Sequence, residues 1–199
     1  MMDLPNRVRL VDCQTKKIEF GTIEPLDRET AKWGIDAAWW DDSLDTLSAL
    51  REEPDFHWEW RELVSAFQNK PAFRARCVRC SRGRVHGAIL LRVDAKSALD
   101  PGERAVFVDR IATAPWNRDQ VATIPLFRGI GTGLLAYTIA LSYSLGFGGR
   151  VSLIPIAHQN FYANRGFVPT ETTEKGETLF ELPAAVAHRS LAAKGLIDA

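Results

Sequence analysis

The sequence predicts a mixed α/β (α+β) fold, with a mostly antiparallel central sheet flanked by helices on both faces. Three observations carry that expectation. "FRARCVRC", "VHGAILLRVD" and "RAVFVDRIATA" are successive strand-like runs, separated by the turn-forming "SRGR" and "SALDPGE". A strand–helix–strand unit follows them, running through the apolar "GLLAYTIALSYSLGF" to "RVSLIPI". Further helical segments occupy the N-terminal third and the C-terminus, and this mixture places helices against a sheet. At 199 residues the chain is long enough to bury a core as one domain over residues 1–199.

Taken in order, "RVRLVDC" and "KIEFGTI" read as the first two strands. Helical segments are expected over about residues 28–50 and 56–67, with Pro54 punctuating the chain and Asp55 able to cap the second. The three central strands come next, then the glycine-rich helix and the strand "RVSLIPI". A short helix in "HQNFYANRG" precedes a strand pair around "ETTEKGETLFEL", with Lys175 and Gly176 at its turn. "PAAVAHRSLAAKG" reads as a C-terminal helix stopped by Gly195.

Twenty-five basic residues balance twenty-five acidic ones, which gives no basic face for nucleic acid or an anionic membrane. "MMDLPNRVRLVDC" lacks the apolar run of a secretory signal, so cytoplasm is the expected location. Cys13, Cys77 and Cys80 are odd in number and are expected as free thiols. "CVRC" has no second pair to complete a zinc site, and it falls on a strand. His57, His86 and His188 have no companions at metal-ligand spacing, so no metal is expected.

The uncharged stretch from Gly129 to Gly149 raises three readings. Glycines crowd both of its ends, leaving a helix of about a dozen residues, too short to span hydrocarbon. "GTGLLA" matches G-x-G-x-x-A, but no strand precedes it directly and no carboxylate follows in "RVSLIPIAHQN", as a Rossmann dinucleotide site requires. "RGIGTG" (residues 128–133) offers R-x-x-G-x-G at the mouth of a helix. There unpaired N–H groups and the helix dipole favour a phosphate, and glycines let it approach. Downstream stands "NFYANRGF". In these two ordered motifs, and in "VDRIATAP" before them, the chain resembles the GNAT superfamily of acyl-CoA-dependent N-acyltransferases over about residues 75–182.

That resemblance implies a GNAT-like domain. It would have a tryptophan-rich acceptor-side segment (about 28–70), an acyl-CoA-binding core (about 75–182) and a C-terminal helix (about 183–197). It implies acetyl-CoA as cosubstrate and direct transfer to a primary amine of unknown identity. Backbone groups of Ile111, Ala112 and Thr113 would bond the pantetheine arm, while Arg128, Gly129, Ile130, Gly131, Thr132 and Gly133 would hold the pyrophosphate. Asn160 would also contact the coenzyme. Tyr162 would be the general acid, since a phenol of pKa about 10 can protonate a departing thiolate of pKa about 8.5. Asp109, where many relatives carry a glutamate, would be the base.

The chain departs from the family pattern in the length of "PWNRDQVATIPLF" between strand and helix. Arg118 sits where a shorter loop would put the signature arginine, but Arg128 alone stands three residues before Gly131. The inserted loop either shapes the acceptor pocket or covers a sheet edge. Trp33, Trp39, Trp40, Trp58 and Trp60 form either an acceptor pocket, with Asp41 or Asp42 drawing an ammonium, or core. The rival readings are a non-catalytic acyl-CoA-binding module and a Rossmann-type nucleotide binder. Monomer and homodimer both stay open.

Overall fold

A computed structural model of the protein describes residues 4–40, 52–174 and 176–197. The strands are β1 (Arg7–Asp12), β2 (Ile18–Pro25), β3 (Phe73–Arg79), β4 (Val85–Lys96), β5 (Arg104–Thr113), β6 (Phe127–Arg128), β7 (Val151–Leu153), β8 (Val168–Glu174) and β9 (Glu177–Leu182). They form one sheet in the order β6-β1-β2-β3-β4-β5-β7-β9-β8. The sheet is mostly antiparallel, and its β5–β7 pair is parallel. Helices flank it, as expected. The chain divides into two compact units, one built from Asn6–Leu90 and Arg110–Leu134, the other from Met1–Pro5, Leu91–Asp109 and Leu135–Ala199.

In the first unit β1 buries alternate residues, Val8 and Leu10, and pairs β2 through Val8↔Gly21 and Leu10↔Glu19. α1 (Arg28–Ala31) begins at Asp27, whose carboxylate accepts the Thr30 N–H at 2.7 Å. A π turn (Lys32–Asp36) and α2 (Ala37–Trp39) continue it. The wider turn keeps Ala31, Ile35 and Trp39, each four residues apart, on one buried line. Gly34 lies within this turn, where an added Cβ would stand 3.0 Å from Val85 Cγ2.

The second expected helix is shorter than the sequence predicts. α3 spans Trp60–Phe67, and Asp55 does not cap it. Its first N–H groups are bonded by Asp36 instead, with Trp60 N donating to Oδ1 and Arg61 N to Oδ2, each at 2.8 Å. The cap thus comes from another segment, which periodicity does not reveal. Residues 41–50, the rest of the first expected helix, lie outside the described residues, as does Lys175.

One core cluster packs α1–α3 against the sheet: Ile35, Trp39, Trp60 and Val64 meet Cys77, Val85, Ala88, Leu90, Ala112 and Ala114. Burying each large apolar side chain contributes about 1.5–3 kcal/mol. Val85 and Ala88 are three apart yet share this face, so β4 slips by one residue between them. Gly87 sits at the slip, and an added Cβ there would come within 2.4 Å of Ile130 Cγ2. The N-terminal turn of α4 (Ile130–Ser144) therefore packs on the face away from α1–α3.

In the second unit β5 pairs β7 in parallel, Val106↔Val151 to Val108↔Leu153. β7 pairs β9, and β9 pairs β8, both antiparallel. The buried Glu181 carboxylate accepts the Ser97 hydroxyl and, at 2.7 Å, the Ala98 N–H. α5 (Gln159–Ala163) follows His158, whose φ of 54° starts the short helix. α6 (Ala184–Ala192) packs near Gly166 and Gly149, where a Cβ would clash with Val186 and Ala187. No described helix is long and apolar enough to cross a membrane.

Candidate functional site

Among the described residues β7 registers with Val106–Val108, and β5 runs on to Thr113 beyond that pairing. Ala112 and Ala114 face the α1–α3 cluster, and the Arg110 guanidinium lies 5.0 Å over the Trp58 ring. Alternation then turns Asp109, Ile111 and Thr113 to the opposite face. Two backbone groups at this end are already bonded: Ala114 N donates to His86 O (2.9 Å), and Thr113 O accepts from Arg118 Nε (2.8 Å). Thr113 would thus have its N–H, rather than its carbonyl, to offer a ligand.

The inserted loop is pinned from both ends. Pro115–Asn117 forms a 3₁₀ turn, and Leu126 N returns to Trp116 O at 2.8 Å. Trp116 Nε1 and Asn117 Nδ2 each reach His86 Nδ1 at 3.2 Å, while Asn117 Oδ1 accepts the Phe127 N–H. That last bond orients the amide, so both groups donate to Nδ1 and His86 carries its proton on Nε2. His86 is 1% exposed, and burial, aided by the Arg84 charge, lowers its pKa to about 4.

Arg118 is held tightly within the fold. Its guanidinium donates to Glu53 Oε2 (2.6 Å) and to both Asp55 oxygens (2.7 and 2.6 Å), with side chains 9%, 11% and 8% exposed. Burial opposes its charge, but Asp55 and Glu53 more than offset this and raise its pKa. Asp55, the residue expected as a helix cap, is thus one of the two acids of a buried ion cluster.

Arg128 is placed differently. It lies on the edge strand β6, opposite Val11 of β1, with a side chain 61% exposed and paired to Asp119. α4 opens directly behind it. Its first helical bond runs from Gly133 N to Gly129 O (2.8 Å), so the N–H groups of Ile130, Gly131 and Thr132 precede the helical ladder. Two of the three glycines have a packing reason. A Cβ on Gly129 (φ 104°) would lie 2.5 Å from Arg9 O, and one on Gly133 would lie 2.2 Å from Val8 Cγ1. The glycines seat the helix end on β1, whatever else they admit.

In the second unit Asn160 is exposed on α5. Tyr162 packs edge-on to Phe161 (5.1 Å) and Phe167 (5.9 Å). Burial pushes its pKa up to about 12, against the downward pull of Arg165. The phenol is a held proton, never a base, across ordinary pH.

The tryptophan-rich segment divides. Trp39 and Trp60 are buried core, and Trp39 Nε1 donates to Val85 O at 3.2 Å; Trp33 is 61% exposed. Trp40 and Trp58 are partly buried against the same core and also line an open cavity of about 330 Å³ with Asp36, Phe56, His57 and Glu59. Sequence reading flagged these tryptophans but missed Asp36, Phe56 and Glu59. Asp36 stands one helical turn before Trp40, which was the available signal. Asp41 and Asp42 lie outside the described residues.

No family model matches the sequence, and no curated protein matches it by sequence comparison. Solved structures do match in fold. A tyrosine-to-phenylalanine mutant of the toxin AtaT, bound to the C-terminus of its antitoxin AtaR and to acetyl-CoA, is 19% identical. It aligns over 86% of this chain and 98% of its own, with a TM-score of 0.56. The spermidine/spermine N-acetyltransferase SpeG of Vibrio cholerae, solved with manganese ions, is 15% identical over 85% and 96%, with a TM-score of 0.52. This chain has the GNAT fold. A GNAT-family acetyltransferase of Staphylococcus aureus Mu50 gives the same result, at 12% identity over 81% and 97% and a TM-score of 0.51. At these identities the GNAT fold is what the likeness establishes. What this chain does rests on its own residues.

Proposed function

We propose that the protein is an N-acetyltransferase that moves an acetyl group from acetyl-CoA to a primary amine by direct transfer. The observation that carries this reading is R-x-x-G-x-G opening a fifteen-residue helix on a GNAT fold, with Arg128 exposed at its mouth. The glycine-rich turn Gly129–Gly133, through the N–H groups that precede the Gly133–Gly129 bond, and the Arg128 guanidinium hold the pyrophosphate, displacing Asp119. The backbone of Ile111, Ala112 and Thr113 bonds the pantetheine arm, and Asn160 adds a side-chain contact.

In the reaction the neutral amine nitrogen attacks the thioester carbonyl carbon, and a β5 N–H stabilises the oxyanion. Collapse breaks the C–S bond. The Tyr162 phenol gives its proton to the departing sulfur, and the proton lost by nitrogen passes to Asp109, directly or through water. With a phenol near pKa 12 and a thiol near 8.5, full transfer is uphill, so proton movement accompanies C–S cleavage.

The test is thiol release from acetyl-CoA across a panel of primary amines. Release that needs both substrates, without an acetylated enzyme, is the expected result. Acetyl-CoA binding with no turnover on any amine would make the protein a coenzyme-binding module instead.

A further inference from the structure

The cavity beside α3 belongs wholly to the first unit, and neither motif accounts for it. Its walls combine aromatic rings with acids: Trp40 and Phe56 meet edge to face at 5.2 Å, Trp58 lines it as well, and Asp36 and Glu59 supply two carboxylates. A volume of about 330 Å³ is within the range of small-molecule sites.

The described cations offset the two acids only in part, since the Arg61 charge lowers the Asp36 pKa without reversing its upward shift. Arg118 already faces Glu53 and Asp55, and Arg61 is paired with Glu62. Among the described residues neither Asp36 nor Glu59 forms an ion pair. Asp36 accepts two N–H bonds at the α3 terminus, yet burial still raises its carboxyl pKa, so the ionised form is under-compensated. The rings already attract cations: the Arg118 guanidinium lies 5.6 Å from the Trp40 ring and Arg110 lies 5.0 Å from Trp58. A carboxylate-bearing ligand would meet like charge here, whereas a compact cation with apolar substituents would meet both acids and aromatic faces.

We infer that this cavity is an alkylammonium site, lined by Trp40, Phe56 and Trp58 and charged by Asp36 and Glu59, which holds a cationic group of the amine acceptor. The inference rests on the acetyltransferase reading and narrows its acceptor to aliphatic amines presented as cations, excluding acceptors that carry a carboxylate near the amine.

The probe is choline, a quaternary ammonium that cannot be N-acetylated, set against its neutral isostere 3,3-dimethylbutan-1-ol. Binding is read by tryptophan fluorescence and by calorimetry, with acetyl-CoA titrated in parallel. The expected result is choline bound about ten-fold more tightly than the isostere, with Glu59→Gln losing most of that preference and Glu59→Lys abolishing it. Glu59 is exposed and makes no capping bond, so both variants should melt like the parent. Equal affinity for the two probes, or no choline binding while acetyl-CoA still binds, overturns the cation site and spares the acetyltransferase reading. Selective choline binding without acetyl-CoA binding supports the site and overturns that reading.

Discussion

Two arginines ten residues apart show what burial does to a charge. Arg118 is nine-tenths buried, bonded to two carboxylates and to the last carbonyl of β5. Arg128 is mostly in solvent, with one exposed aspartate opposite it. The first has its hydrogen-bonding capacity committed inside the protein. The second can exchange Asp119 for an anionic ligand at little cost, because an exposed ion pair contributes about 0–1 kcal/mol. In sequence both are arginines near a glycine-rich helix; in structure one is committed inside the fold and the other is exposed.

The sharpest way to break that comparison is to remove Arg118. Arg118→Ala leaves Glu53 and Asp55 buried without a cation and should cost about 3–5 kcal/mol in denaturant unfolding. A loss below about 1 kcal/mol would mean that the cluster is solvated and the contrast with Arg128 is unfounded.

The loop beside Arg118 offers a pH test. Between pH 6.5 and about 4 the unfolded chain binds a proton at His86 that the folded chain does not. Stability should therefore fall as pH falls through that window, by about 3 kcal/mol in total. His86→Gln keeps an acceptor for Trp116 and Asn117 and should flatten this part of the profile. An unchanged acid limb in the variant would place the sensitivity elsewhere.

Tyr162→Phe separates chemistry from packing. Its ring contacts survive, so kcat should drop about 10²-fold or more while acetyl-CoA affinity holds. A large loss of stability with little change in kcat would make Tyr162 a core residue. Gly133→Ala tests the seating of α4 on β1: the clash with Val8 should cost about 1–3 kcal/mol. A neutral result would return that glycine to a purely ligand-facing role.

Much of the fold was legible because its signals are local. The alternation of β1, the turn chemistry around β3–β5 and the glycines framing α4 each act over a few residues. The α3 cap was not legible, since Asp36 reaches Trp60 and Arg61 across 24 and 25 positions. Asp55 looked like a cap for the same reason that it suits Arg118: it is a short acid in a turn. The slip in β4 escaped because Val85–Leu91 is buried throughout and shows no alternation to interrupt. At the candidate site, spacing alone singled out Arg128 as the expected phosphate-binding arginine, whereas the packing duty of Gly129 and Gly133 needed the position of β1. The cavity acids were hidden because nothing in sequence brings Asp36 beside Glu59.

The most direct test of the phosphate cradle is calorimetric titration with acetyl-CoA of the parent protein and Arg128→Ala. The account predicts binding to the parent and about ten-fold weaker binding to the variant, whose unfolding free energy stays within about 0.5 kcal/mol of the parent. Equal affinity in the two proteins, or no affinity in the parent, would contradict it.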